Sequence, residues 1–90
     1  MLVDWTKRAA KRLTKIHEYI DESSPAAADV VFDTIVAAAN ALPGFPLAYR
    51  EGRVSNTREM VVLPNYIFVY RVKKDRIVIV NVLHARKRYP

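Results

Sequence analysis

The residues in this chain best able to do chemistry are cationic, and they crowd its second half. Arg50 and Arg53 stand in a polar stretch, Arg58 opens an apolar run, and Arg86, Lys87 and Arg88 lead into Tyr89. A guanidinium offers a planar fork that matches phosphate oxygens two at a time, and a nearby tyrosine ring can stack on a base. Arg58 carries a further signal. Strand side chains alternate with period two, so Arg58 shares a face with Met60 and Val62. A charge on a covered face needs a partner or a concave, wet spot. In-line attack by a 2′-hydroxyl on its own phosphate would need that charge neutralised, and a base and an acid besides. Here the proton could be moved only by Tyr89, His84 or a group outside the protein. The same residues would equally serve as the solvated rim of a basic domain.

Other chemistries lack their residues. No phosphate loop, dinucleotide fingerprint or nucleophile elbow occurs. His17 and His84 lie far apart, and neither belongs to a metal-spaced cluster, so no metal and no cofactor is expected. His17 reads as a polar-face helix residue. His84 reads as a cap on the sheet edge, with proton transfer as its functional alternative. There is no cysteine, which excludes disulfides and thiolate sites and fits a reducing compartment.

These groups must be positioned by a single domain, since 90 residues allow no more. With 51% apolar residues the chain can hold one modest core. Its net charge of +6 points to a polyanionic partner, nucleic acid or an acidic protein, unless the charge merely coats a soluble surface. The N-terminus has no apolar signal region. The longest apolar tract, Ala26 to Leu42, is broken by Asp29 and Asp33 and is too short to span a bilayer. A cytoplasmic protein with no membrane contact is expected.

In chain order, Met1 to Trp5 suits an edge strand. Ala9, Leu13, Ile16 and Ile20 then recur at helical steps, behind Thr6 as N-cap. Lys7, Arg8, Lys11, Arg12 and Lys15 fill much of the rest of that helix. Cations near an N-terminus oppose the helix dipole, so Asp4 or a partner should offset them. Ser24 suits a second N-cap and Pro25 the first helical position. This helix runs to about Leu42, burying Ala28, Val31, Ile35, Ala38, Ala39 and Leu42, and Pro43-Gly44 stops it. Phe45 to Asn56 reads as a loop. Three β-rich runs follow, TREMVVL, YIFVYRV and RIVIVNVLH, turned at Pro64-Asn65 and Lys74-Asp75. Arg71, in the middle run, has the opposite parity from Tyr70. The fold class is α+β: a short N-terminal strand, an αα-hairpin, then a three-stranded antiparallel β-meander that covers the hairpin's apolar face.

That order of elements, with WTKRAAKRLTKIHEYI, the Ser24-Pro25 helix entry, TREMVV, YIFVYRV and VNVLHARKRYP, resembles the RelE/ParE superfamily of bacterial type II toxins over nearly the whole chain. The resemblance implies a toxin that inhibits growth when free and is neutralised by a cognate antitoxin bearing an acidic segment. RelE-like members cleave mRNA in the ribosomal A site; ParE-like members poison DNA gyrase. By position, Arg58 and Arg86 match the RelE-like charge stabilisers and Tyr89 the tyrosine that stacks or relays a proton. Arg50 and Arg53, with Lys87 and Arg88, would grip the RNA backbone. A ribosome-dependent mRNA interferase is the expectation and a gyrase poison the alternative. The loop pair is arginine where RelE-like proteins carry lysine, and the VLH-x-x-R ending also occurs among ParE-like members.

Overall fold

In the computed structural model, which describes residues 1–89, the chain forms one sheet with two helices on one face. The elements are β1 (Leu2–Trp5), α1 (Lys7–Asp21), α2 (Pro25–Ala41), a 3-10 turn (Leu42–Gly44), β2 (Arg50–Glu51), β3 (Arg58–Val62), β4 (Tyr66–Val72) and β5 (Arg76–His84). The sheet order is β1-β5-β4-β3-β2. The hairpin-linked strands are antiparallel, whereas β1 joins β5 in parallel, Leu2 opposite Arg76 and Trp5 opposite Ile79. The chain passes from β1 to β5 through the helical hairpin and then β2 to β4, the long connection that a parallel pair requires. The meander itself is as the sequence indicates, and β2 is a short edge strand within the stretch read as loop.

Both helix starts follow from their caps. The Thr6 hydroxyl accepts from the Ala9 amide at 3.1 Å, and the Ser24 hydroxyl from the Ala27 amide at 3.2 Å. No acidic residue lies in the first turn of α1. Asp4 does not offset its cations, because its carboxylate turns to Arg76 across the β1–β5 pair at 3.4 Å. His17 ties the hairpin together, its Nε2 lying 2.9 Å from Asp29 and its ring edge-on to Phe32. Ala9, Ala28 and Ala39 are wholly buried, so the helices approach closely, as expected from a run of small residues.

The Pro25–Gly44 run is 20 residues long and apolar enough, by length and composition, to cross a membrane. That corrects the expectation of a tract too short to span. The tract continues through the 3-10 turn, and Ile35, Ala39 and Leu42 from it lie in the protein core. That core unites them with Ala9 and Leu13 of α1 and with Val62, Phe68, Tyr70, Ile77, Ile79 and Val82 of the sheet.

A β-bulge in β5 makes this set possible. Tyr70 pairs with Ile79 but Val69 pairs with Asn81, which leaves Val80 without a partner. Strict alternation would send Ile79 and Val82 to opposite faces; the extra residue brings both to the helices. Thr6 docks beside the bulge, its amide bonded to the Ile79 carbonyl at 3.0 Å.

The first hairpin departs from expectation. Val62 pairs with Tyr66, so three residues turn rather than two, and Leu63 takes a positive φ (59°). Asn65 instead offers its carbonyl to the Ala85 amide at 2.7 Å. The second hairpin turns at Lys74-Asp75, closed by a bond from the Lys73 amide to the Arg76 carbonyl.

The loop before β2 is pinned to the helix side of the sheet. Tyr70, with no exposed surface, donates its hydroxyl to the Pro46 carbonyl at 3.0 Å. Burial raises the Tyr70 pKa above its ordinary value; the Arg58 guanidinium pulls the other way and is outweighed. Folded Tyr70 therefore keeps its proton at a pH where the unfolded chain has lost it. Its stabilisation is complete below the ordinary tyrosine range, about pH 10, and is lost as pH climbs through the raised folded value. Tyr70→Phe should lower stability by about 1 kcal/mol near neutrality. In denaturant titrations at stepped alkaline pH, its stability should fall less steeply than the wild type's.

Candidate functional site

The face of the sheet turned away from the helices has no helix to cover it, yet it too is buried. Glu59, Ile67, Val69 and Leu83 are each 3% exposed or less. Two irregular segments cover them. One is the loop from Gly52 to Thr57. The other is the tail after β5, which turns back through a bond from the Lys87 amide to the His84 carbonyl and brings Tyr89 against the loop.

The loop is held by a buried carboxylate. Glu59 accepts from Arg50 Nε at 3.0 Å and from the Arg53 amide at 3.0 Å, with Arg50 Nη2 at 2.9 Å. Arg53 Nε lies 3.7 Å away on the other carboxylate oxygen. Register explains the geometry: Glu59 sits opposite Arg50 in the β2–β3 pair. The loop's far end is closed by Thr57, whose hydroxyl donates to the Val54 carbonyl at 2.6 Å. A Cβ on Gly52 would overlap that hydroxyl, so the close approach requires glycine. Arg71 reaches across from β4 and donates to the Ser55 and Asn56 carbonyls at 3.0 and 3.3 Å.

Tyr89 meets the loop through Arg53, whose guanidinium carbon stands 4.6 Å from the ring centroid. Such a contact contributes roughly 0.5–1 kcal/mol where it is partly solvated. Between tail, loop, sheet and the edge of α1 lies a cavity of about 290 Å³. Arg8, Arg12, Arg71, Lys87 and Arg88 line its cationic side, and Val54, Val69, Val80 and Leu83 its apolar side. Among the described residues no carboxylate lines it. Asn81 Oδ1 and the Tyr89 hydroxyl, both from lining residues, are buried and have no hydrogen-bond partner among the described residues.

The structure brings together only part of the set expected from sequence. Arg53, Lys87, Arg88 and Tyr89 do meet around the loop and cavity. Arg50 lies on the edge strand, engaged by Glu59. Arg58 faces the helices with Met60 and Val62, and its Nη1 donates to the Tyr49 carbonyl at 2.7 Å and to Leu47 at 3.4 Å. Arg86 is exposed beyond His84, level with Tyr66 and Val62, at the other end of the sheet from Arg58. The expected convergence of Arg58 with Arg86 does not occur, because a loop carbonyl is the partner that Arg58 needed. His84 acts as a cap: its Nδ1 accepts from the Arg86 amide at 3.2 Å, and its ring lies edge-on to Tyr66.

Sequence reasoning did not assign Arg8, Arg12, Glu59, Arg71 or Asn81 to the site. Parity held the signal for two of them. Glu59 has the opposite parity from Arg58, and Arg71 from Tyr70, so both leave the helix face. Glu59→Gln should loosen the loop, since a neutral amide cannot serve two guanidiniums. The expected loss is about 2 kcal/mol in urea unfolding, together with faster hydrogen exchange at the Arg53 amide. Unchanged exchange there would remove Glu59 from the role of loop anchor.

Comparison with known proteins agrees with this architecture. The family model described as "ParE toxin of type II toxin-antitoxin system, parDE" matches residues 3–89. The chain is 40% identical over 90 residues to the putative toxin Y4kP of Sinorhizobium fredii, covering 98% of this chain and 92% of that one. It is 37% identical over 87 residues to toxin RelE2 of Caulobacter vibrioides, covering 94% and 96%. Among solved structures, a chain of the chromosomal ParDE system from P. aeruginosa superposes with a TM-score of 0.83 at 25% identity, over 93% of this chain and 95% of that one. The YoeB/ParE toxin from Agrobacterium tumefaciens shares the fold, with a TM-score of 0.67 at 15% identity, over 99% and 100%. The chain belongs to the ParE toxin family, within the RelE/ParE superfamily of type II toxin–antitoxin systems.

Proposed function

We propose that this toxin halts growth by holding its target in an inhibited complex, as gyrase-directed members do, and not by cutting RNA. The observation that carries this reading is the engagement of Arg58 by loop carbonyls on the helix side, out of reach of Arg86. Cleavage by a 2′-hydroxyl needs a charge stabiliser, a base and an acid around one phosphate. His84 is occupied as a cap, the Tyr89 hydroxyl is buried, and Glu59 is engaged by two arginines. His84 Nδ1 and Glu59 are thus engaged in structure, and the Tyr89 hydroxyl is withdrawn from the surface. The second reading, ribosome-dependent cleavage through Arg58, Arg86 and Tyr89, draws on the basic, tyrosine-edged cavity. It would require the ribosome to rebuild the site.

Family membership implies an antitoxin. Its acidic segment has a counterpart in the outer cations of α1, Lys7, Lys11 and Lys15, which form no ion pair among the described residues. The sheet edges at β1 and β2 are open to an added strand.

Two measurements separate the readings. Purified toxin should inhibit supercoiling by DNA gyrase, and cells induced without antitoxin should show unchanged mRNA 5′ ends. New 5′ ends within codons, lost in Arg86→Ala, would establish cleavage instead. Antitoxin affinity should fall as salt rises, and Lys7→Ala/Lys11→Ala should flatten that dependence.

A further inference from the structure

We propose that the cavity under the returning tail is a binding site for a single nucleotide unit: a phosphate joined to a base that carries an exocyclic amine. Three independent features define that chemistry. The first is charge. Arg8, Arg12, Arg71, Lys87 and Arg88 converge with no carboxylate among them, and none forms an ion pair among the described residues. Five like charges around one hollow repel one another, and an anion relieves that repulsion. Phosphate suits arginine especially, because its oxygens accept two parallel bonds from one guanidinium.

The second feature is the opposite wall. Val54, Val69, Val80 and Leu83 present an apolar surface that inorganic phosphate would leave uncovered. A ligand that fills the cavity must therefore have an anionic end and a flat, weakly polar body. Its volume, about 290 Å³, lies at the small end for ligand clefts, roughly 300–1,000 Å³. It has room for one nucleotide and not for a stacked run.

The third feature is the pair of unmet polar atoms. Asn81 Oδ1 is an acceptor without a donor, and the Tyr89 hydroxyl has no partner in either sense. An exocyclic amine supplies what Asn81 lacks, in the manner in which asparagine pairs with adenine. A phosphate oxygen supplies an acceptor for Tyr89. The Tyr89 hydroxyl belongs to the tail itself, which forms one wall of the cavity and is anchored on this side by the Arg53 contact. The bulge at Val80 is what turns Val80 and Asn81 together toward the cavity. A free nucleotide and the phosphorylated end of a nucleic-acid strand share this chemistry.

The test is calorimetric titration of the purified toxin with AMP, UMP, adenosine and inorganic phosphate. Short oligonucleotides with and without a 5′-phosphate and a glutamate-rich peptide complete the series. AMP should bind saturably, at least ten times more tightly than phosphate, adenosine or UMP. Tighter binding of the 5′-phosphorylated strand would identify a chain end as the source, and tighter binding of AMP a free nucleotide; either supports the site. Lys87→Ala/Arg88→Ala, at exposed positions, should weaken AMP about tenfold or more with thermal unfolding unchanged, and Tyr89→Phe should weaken it several-fold. The proposal is overturned if AMP fails to bind, if phosphate or UMP binds as well, if these variants leave AMP affinity intact, or if the acidic peptide displaces AMP at lower concentration. The titration contains no gyrase, so failure here leaves the target reading where it stood.

Discussion

A carboxylate buried near the start of β3 governs the open face of this toxin. Glu59 is only 2% exposed, and burying such a group without partners would be prohibitive. Arg50 and Arg53 supply them, one from the edge strand and one from the loop beyond it. The arrangement fixes β2 against β3, draws the loop over the sheet and holds Arg53 where Tyr89 can pack on it. Remove the carboxylate and the two arginines would repel each other. The loop, the tail and the cavity between them are all consequences of that one neutralisation.

The sheet must satisfy two faces by different means. On one, two helices bury Phe68, Tyr70, Ile77 and Ile79 in a conventional core. On the other, a loop and a five-residue return do the same for Ile67, Val69 and Leu83. β5 serves both, and the unpaired Val80 lets it do so by shifting the alternation halfway along. Bulges favour sites where a side chain must be re-aimed, and here Asn81 is the residue re-aimed.

Local rules read from the sequence identified the caps, the helix boundaries and the meander, because Thr6, Ser24-Pro25 and the β-branched runs act over a few residues. Parity correctly placed Arg58 beside Met60 and Val62. What parity could not supply was the partner: backbone carbonyls of Leu47 and Tyr49, brought close by tertiary folding, satisfy that guanidinium. The site assembled instead from residues whose proximity depends on register and on the tail's reversal. Arg8 and Arg12 come from the first helix, Arg71 from β4 and Lys87 to Tyr89 from the end of the chain. No spacing along the sequence encodes that meeting. The bulge was equally invisible, since RIVIVNVLH alternates plausibly in either phase.

The tail is held to the sheet by few bonds of its own. Stacking on Arg53 contributes roughly 0.5–1 kcal/mol, and the turn at His84 adds one backbone bond. Against this stand two buried polar atoms without partners, each costing about 1–3 kcal/mol. Burial of Tyr89, Val69 and Leu83 then has to make up the difference. The tail's own bonds are few, so apolar burial is the main force that holds it against the sheet. Segments with small local stability are those that binding can most readily rearrange. The groove beside the tail is bordered by the exposed Lys87 and Arg88. It yields to any ligand that satisfies Asn81 and Tyr89 better than the closed tail does.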